Sequence, residues 1–301
     1  MRKRFSLGDA ELQLQLIRRK NHPNIKIFNF HQISEKFNDL YHSRGTYTST
    51  NGFKSQIKSI KKKYLLISLQ DAVNQINENK ITDNYACVTI DDGDSSVIHA
   101  ADILFDLKVP ATFFINSAYL ENQETSWYRL VSYLENHPKH HKLLSDEIRF
   151  KSKLLRRTED SKFYRETTSE IYRLYTKIAG EYNGHTTRSH LQTISQHGFG
   201  IGPHGHRHER FNLFDKKWQI ENIRKDSENL SVYETYCNFF ALPFGRYRDF
   251  NLDTQNAAFE EGVRMLLSTG GANSFNQPFI HRIPSDSRKV HQADIQDQEM
   301  Y

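Results

Sequence analysis

YACVTIDDGD, residues 85–94, runs six strand-forming residues directly into two adjacent carboxylates and a glycine. An apolar run of that length, closed by a turn signal, reads as a buried strand ending at Ile90. Asp91 and Asp92 then stand side by side where like charges repel and lose hydration, which costs stability unless hydrogen bonds or a cation compensate. A plain Asp-Gly turn explains the dipeptide equally well, so the rest of the chain must decide.

Working outward, short apolar runs alternate with longer amphipathic ones. IKIFNF (25–30), YLLISL (64–69), ATFFI (111–115), GFGIG (198–202), NFFALP (238–243) and RMLLST (264–269) join YACVTI as candidate strands. Helical patterns such as GFKSQIKSIKKK, DAVNQINENK, SSVIHAADILFDLK, DKKWQIENIRKDSENL and NLDTQNAAFEEG lie between them. A repeated strand-helix order predicts a parallel sheet, here a distorted (β/α)7-8 barrel, and no glycine-rich dinucleotide fingerprint accompanies it. Residues 120–190 break the rhythm: they are charged and helically periodic, and read as a helical insertion within a single domain spanning 1–301. Trp127, Tyr128, Leu130, Val131 and Leu134 recur at helical spacing, as a face packing on the barrel or as a stripe for self-association into a homo-oligomer.

The chain has 301 residues, 37% of them hydrophobic, enough for a sizeable core. Its two cysteines, Cys87 and Cys237, form no disulfide framework and no cysteine-based zinc motif. The basic first twenty residues contain no continuous apolar stretch, and no run approaches transmembrane length, so a cytoplasmic protein without a transmembrane segment is expected. The net charge of +5 gathers in that terminus and in KSIKKK (58–63). It reads as a solvated helix face, with no nucleic-acid partner expected, since no aromatics interleave the lysines.

GIGPHGHRHERF (200–211) is the second informative stretch. His204 and His208, with three residues between them, can present both imidazoles to one side, while His206 points away. Two histidines and one carboxylate form an accepted three-ligand set that leaves a position open. A solvent-exposed histidine loop is the competing explanation, because the chain holds 15 histidines. Parallel barrels gather the loops after their strands on one face, so Asp91, Asp92, His204 and His208 can meet. A cation among them relieves the repulsion of the paired carboxylates.

TIDDGD, HGHRH and ALPFG (241–245), in this order, resemble the motifs of the NodB-type polysaccharide deacetylases, carbohydrate esterase family 4. FHQI (30–33), ATFFINSAYL, STGGAN and HRIP (281–284) extend the likeness over most of residues 25–286, outside the insertion. The resemblance implies a metal-dependent hydrolase that removes the N-acetyl group of a saccharide. Asp91 matches the general base, Asp92, His204 and His208 the metal ligands, and Pro243, Phe244 and Gly245 the substrate groove. The ligand set favours zinc among divalent metals. Three departures stand out. Gly205 replaces a Ser or Thr, and Ala241 replaces an arginine that orients the base, a role Arg282 can take over. The usual general acid is absent, leaving His281 as the candidate, while His31 is expected as a packed histidine. An O-acetyl esterase, another sugar amidohydrolase or a non-catalytic carbohydrate-binding homologue are the alternatives.

Overall fold

The computed structural model describes residues 25–286 apart from positions 44, 79, 179 and 270–278. The basic first twenty residues and most of STGGAN lie outside the described residues. β1 (Ile25–Phe30) leads into a short parallel pair, β2 (Gln32–Ser34) and β3 (Tyr47–Ser49), then α1 (Thr50–Lys63), β4 (Leu65–Leu66) and α2 (Leu69–Asn77). β5 (Tyr85–Ile90), α3 (Val97–Asp106) and β6 (Ala111–Ile115) follow. After a helical segment the chain resumes with α7 (Arg188–Gln196), β7 (Gly200–Pro203), α8 (Lys216–Leu230), β8 (Phe239–Ala241), α9 (Leu252–Glu260), β9 (Met265–Thr269) and β10 (Phe279–Pro284).

The main sheet runs β7-β6-β5-β1-β10-β9-β8, every pair parallel, with β4 added beside β5. An isolated bridge from Ile201 to Tyr236 and the bond from Cys237 N to Ile201 O (2.8 Å) draw the two ends together. The sheet is therefore a nearly closed seven-stranded barrel. Because side chains alternate along a strand, each strand feeds two cores. Phe28, Phe30, Val88, Ile90 and Phe113 pack outward against Phe53 and Ile57 of α1, Leu104 of α3 and Ile194 of α7. Ile27, Cys87, Phe114, Phe239, Leu267 and Ile280 fill the interior, joined by Leu69, Val73 and Ile76 of α2. α1 buries Phe53, Ile57 and Ile60 and leaves Lys61, Lys62 and Lys63 exposed, so its basic run is a solvated face.

Between β6 and α7 the helical segment holds a 3-10 turn (Ser117–Asn122), α4 (Trp127–Asn136), a second 3-10 turn (His141–Leu143), α5 (Asp146–Leu155) and α6 (Ser161–Tyr175). Ser145 caps α5 by accepting from Ile148 N, and Asp160 caps α6 by accepting from Lys162 N and Phe163 N. The expectation of an interface through the Trp127–Leu134 stripe is corrected here. Trp127 and Leu134 are 2% and 0% exposed, buried against Ile148, Leu155, Tyr164 and Ile171 in a core of the segment's own. The segment is long enough to sequester that stripe within itself, while Phe150 and Leu154 of α5 stay exposed on its outside. At its exit, Ser95 N donates to Gly184 O (3.0 Å) and Thr186 N to Gly93 O (3.0 Å), which stitches it to the DDGD turn.

Candidate active site

The loops following β1, β5, β7 and β8 meet at the carboxyl ends of the strands, as parallel barrels dictate. The turn and the site turn out to be the same feature, since Asp92 and Gly93 both take positive φ (74° and 64°) immediately after β5. A positive φ is costly for a residue with a side chain and persists only where the surroundings impose it. The two carboxylates consequently diverge. Asp91 Oδ1 accepts from Arg282 Nη1 at 2.6 Å and Oδ2 accepts from Asn29 Nδ2 at 3.1 Å. Burial opposes charge on Asp91, yet Arg282 and the nearby His204 and His31 hold its carboxyl below the ordinary range.

Asp92 turns its Oδ1 toward the histidines, 3.3 Å from His204 Nε2 and 3.4 Å from His208 Nε2. That oxygen is buried and has no hydrogen-bond partner. His204 Nδ1 lies 2.8 Å from the Ala241 carbonyl, which only accepts, so Nδ1 carries a proton and Nε2 is the nitrogen turned toward Asp92. Burial pushes the His208 imidazolium down to about 3, leaving the ring neutral. For Asp92 too burial opposes charge, but the positive charges of His31 and Arg129 beside it hold its carboxyl well below the usual carboxylate range. Three donors bound to one tetrahedral ion at 2.0–2.1 Å stand about 3.4 Å apart, the spacing Asp92 makes with each ring. The residues fit a divalent metal, and a buried unpartnered oxygen is what such an ion would satisfy.

Gly205, the departure between the histidines, has a local cause. Its φ is +80°, and a Cβ there would stand 3.1 Å from both Phe211 Cε2 and Pro243 Cγ. His204 N and Ser117 N both donate to the buried Asp226 carboxylate at 2.8 Å, so that group anchors the loop which a hydroxyl steadies elsewhere. His206 points away, its Nδ1 2.9 Å from Ser117 Oγ. Phe244, at φ +59°, lays its ring edge-on to His208 with centroids 4.5 Å apart, while Pro243 is buried beneath and Gly245 follows at φ +68°.

Two histidines exchange places relative to the sequence reading. His281 is adjacent to Arg282 on β10, and since Arg282 reaches inward to Asp91, His281 must face the other way. It is 2% exposed, and its Nδ1 is 2.6 Å from Ser268 Oγ, its register partner on β9. His31, expected as a packed residue, instead faces the site, with Nε2 4.0 Å from Asp91 Oδ2. Its Nδ1 lies 2.5 Å from Asp286 Oδ2, and Asp286 Oδ1 accepts from His31 N at 3.0 Å. Burial disfavours the imidazolium, but Asp286, with Asp92 and Asp91 behind it, outweighs that and raises its pKa to about 9.

Sequence reasoning missed the contribution of the insertion. Arg129 of α4, 7% exposed, donates through Nη1 to Asp94 Oδ2 at 2.5 Å and through Nη2 to Asp92 Oδ2 at 3.2 Å. Asp94 also accepts from Gln32 Nε2 (3.0 Å) and Ser96 N (3.0 Å). Tyr164 and Tyr172 of α6 both donate to Glu209 at 2.5 Å, tethering the residue beside His208. A basic residue at helical spacing carries no sign of such a contact; the third carboxylate of DDGD, Asp94, is the signal in the sequence that points to a buried cation beside it.

The chain is similar in fold to three solved structures. These are the Streptococcus pyogenes deacetylase PplD in complex with acetate (13% identity, TM-score 0.62, covering 92% of this chain and 98% of that one), IcaB from Ammonifex degensii (15%, 0.59, 92% and 95%) and a de-N-acetylase from Aggregatibacter actinomycetemcomitans (14%, 0.60, 91% and 99%). No curated protein sequence matches the chain significantly. The model of the family described as polysaccharide deacetylase matches residues 78–266, a stretch that carries the carboxylate and histidine motifs but not β1 or β10. With that match spanning well over half of its length, and with the barrel and motif order agreeing, the chain belongs to the polysaccharide deacetylase family.

Proposed function

We propose that the protein is a metal-dependent N-deacetylase of a saccharide, with Asp91 as general base, Asp92, His204 and His208 as ligands of a zinc-class ion, and His31 as general acid. The observation that carries this reading is the split of the aspartate pair. Asp92 Oδ1 is spaced for coordination beside two imidazole nitrogens, while Asp91 is held by Arg282 and Asn29 with one oxygen 3.7 Å from His204 Nε2. When bound, the ion would polarise the acetyl carbonyl and acidify a water. Asp91 is ionised and placed to take the water's proton, with Arg282 supplying the orientation that the missing motif arginine gives elsewhere. His31, 4.0 Å from Asp91, protonates the departing amine nitrogen, and Asp286 keeps its Nδ1 proton fixed so that Nε2 faces the reaction. A positioned imidazolium favours amide over ester substrates, because an amine departs only when protonated. Pro243, Phe244 and Gly245 form the groove wall that meets the sugar.

The test pairs metal content of the purified protein with acetate release from N-acetyl sugar oligomers and O-acetyl counterparts. Release from the N-acetyl series, lost on chelation and restored by zinc, is expected. Exclusive release from O-acetyl sugars would make the protein an esterase. His204→Ala or His208→Ala should weaken metal binding at least tenfold, and wild-type affinity in both would remove them from the ligand set.

The acid carries its own pH signature. A catalytic acid must be protonated, so activity should fall as pH rises through the His31 pKa, which is raised to about 9 and which a bound cation lowers. Asp286→Asn removes the principal negative neighbour and should move this alkaline limb to lower pH. An alkaline limb that stays in place in Asp286→Asn, and persists in His31→Gln, would exclude His31 as the acid.

A further inference from the structure

We infer that His137, His140 and Glu181 form a second metal site, which takes a zinc-class ion and clips the C-terminal end of α4 to the segment that returns to the barrel. It shares no residue with the site above and does not rest on the deacetylase reading. The ligand atoms of the three residues lie within 4.8 Å of one another. His137 caps the C-terminus of α4, and its Nδ1 accepts from Lys139 N at 3.2 Å, which leaves Nε2 as the outward donor atom. His140 Nε2 stands 3.0 Å from Glu181 Oε2, a residue 41 positions further along the chain. The two imidazoles stack with centroids 4.3 Å apart. Tyr133, 1% exposed, lies against both, 4.9 Å from His137 and 6.3 Å from His140, and so limits how far either ring can turn.

The donor chemistry selects the ion. Two imidazoles and one carboxylate suit zinc, nickel or copper, whereas magnesium and calcium require mostly oxygen donors. Donors on a tetrahedral ion stand roughly 3.4 Å apart, and His140 and Glu181, at 3.0 Å, are already inside that separation in a set confined to 4.8 Å. Glu181, whose side chain is 53% exposed, has the freedom to adjust to an ion.

Occupancy would brace the active site from behind. α4 carries Arg129 at its other end, and Glu181 is followed by Tyr182, which packs on Tyr133 of α4, and by Gly184 and Thr186, which are bonded to Ser95 and Gly93 of the DDGD turn. An ion joining His137 and His140 to Glu181 therefore ties together the two segments that hold Arg129 against Asp92 and Asp94.

The experiment measures bound zinc by elemental mass spectrometry and the unfolding midpoint of the full chain, after dialysis against zinc. His137→Gln/His140→Gln should bind one ion fewer than wild type and lose part of the zinc-dependent rise in midpoint. His204→Ala/His208→Ala should lose a different ion and keep that part. Glu181→Gln, a change at an exposed side chain that leaves the fold intact, should weaken the second ion by about tenfold or more. Unchanged stoichiometry in His137→Gln/His140→Gln, or unchanged affinity in Glu181→Gln, would overturn the site.

Discussion

Asp91→Asn should lower the rate of acetate release by about 10²–10⁴-fold, the usual cost of losing a general base, while leaving the metal content unchanged. The substitution keeps the shape of the side chain but only one of the two acceptor oxygens to which Asn29 and Arg282 donate, and an amide cannot take a proton from water. It also leaves Arg282, 1% exposed, without its counter-charge, so the unfolding midpoint must be followed alongside the rate. Asp92→Asn should give the reverse split, losing metal first, because the neutral amide no longer offsets the cation. The carboxylate of Asp91 is held below the ordinary range by Arg282, so its protonation limits the rate only at low pH. Full activity in Asp91→Asn would reduce the DDGD stretch to a turn.

Arg129→Met should destabilise the fold by about 3–5 kcal/mol, the cost of stranding a buried charge by removing its partner. In a chain of this size that lowers the unfolding midpoint by something on the order of 10 °C. The reason lies in Asp94, 0% exposed, whose Oδ2 meets the guanidinium at 2.5 Å. Burial alone would favour its neutral form, and Arg129 together with the Ser96 hydrogen bonds keeps it ionised. Asp94→Asn in the Arg129→Met background should recover much of the loss, because it removes the stranded charge. If the single variant unfolds at the wild-type midpoint, or the double variant is no better than the single, the pair is not the ionic lock described here. Arg129→Met should also loosen Asp92 and weaken zinc binding by about 10–100-fold, as the loss of groups that orient a ligand does.

Much of the barrel could be read directly. IKIFNF, YACVTI and ATFFI coincide with β1, β5 and β6, because uninterrupted apolar runs are legible where a strand is buried on both faces. YLLISL yields only Leu65–Leu66 as strand, since Ser68 accepts from Asp71 N and starts α2 early. The short β2 and β3 pair left no apolar signature to detect. Arg282 reaches Asp91 as expected, and strand alternation alone separates it from His281, because neighbours on one strand point to opposite faces.

By itself the sequence determined the strand-helix order and the turn that separates Asp91 from Asp92, and it singled out Asp92, His204 and His208, which the structure places within 4.8 Å of one another. Those features depend on local periodicity, on turn chemistry and on a barrel that gathers its loops at one end. Only the tertiary structure decided which of 41 lysines and arginines neutralise the paired carboxylates, and which histidine faces them. Arg129 reaches Asp92 because a remote helical segment buries its own core and docks on the DDGD turn, and Arg282 reaches Asp91 because β10 pairs beside β1. His31 holds its charge because Asp286, 255 residues away, lies against it. Buried charges find partners through packing between distant segments, and the spacing of residues along the chain carries no record of that packing.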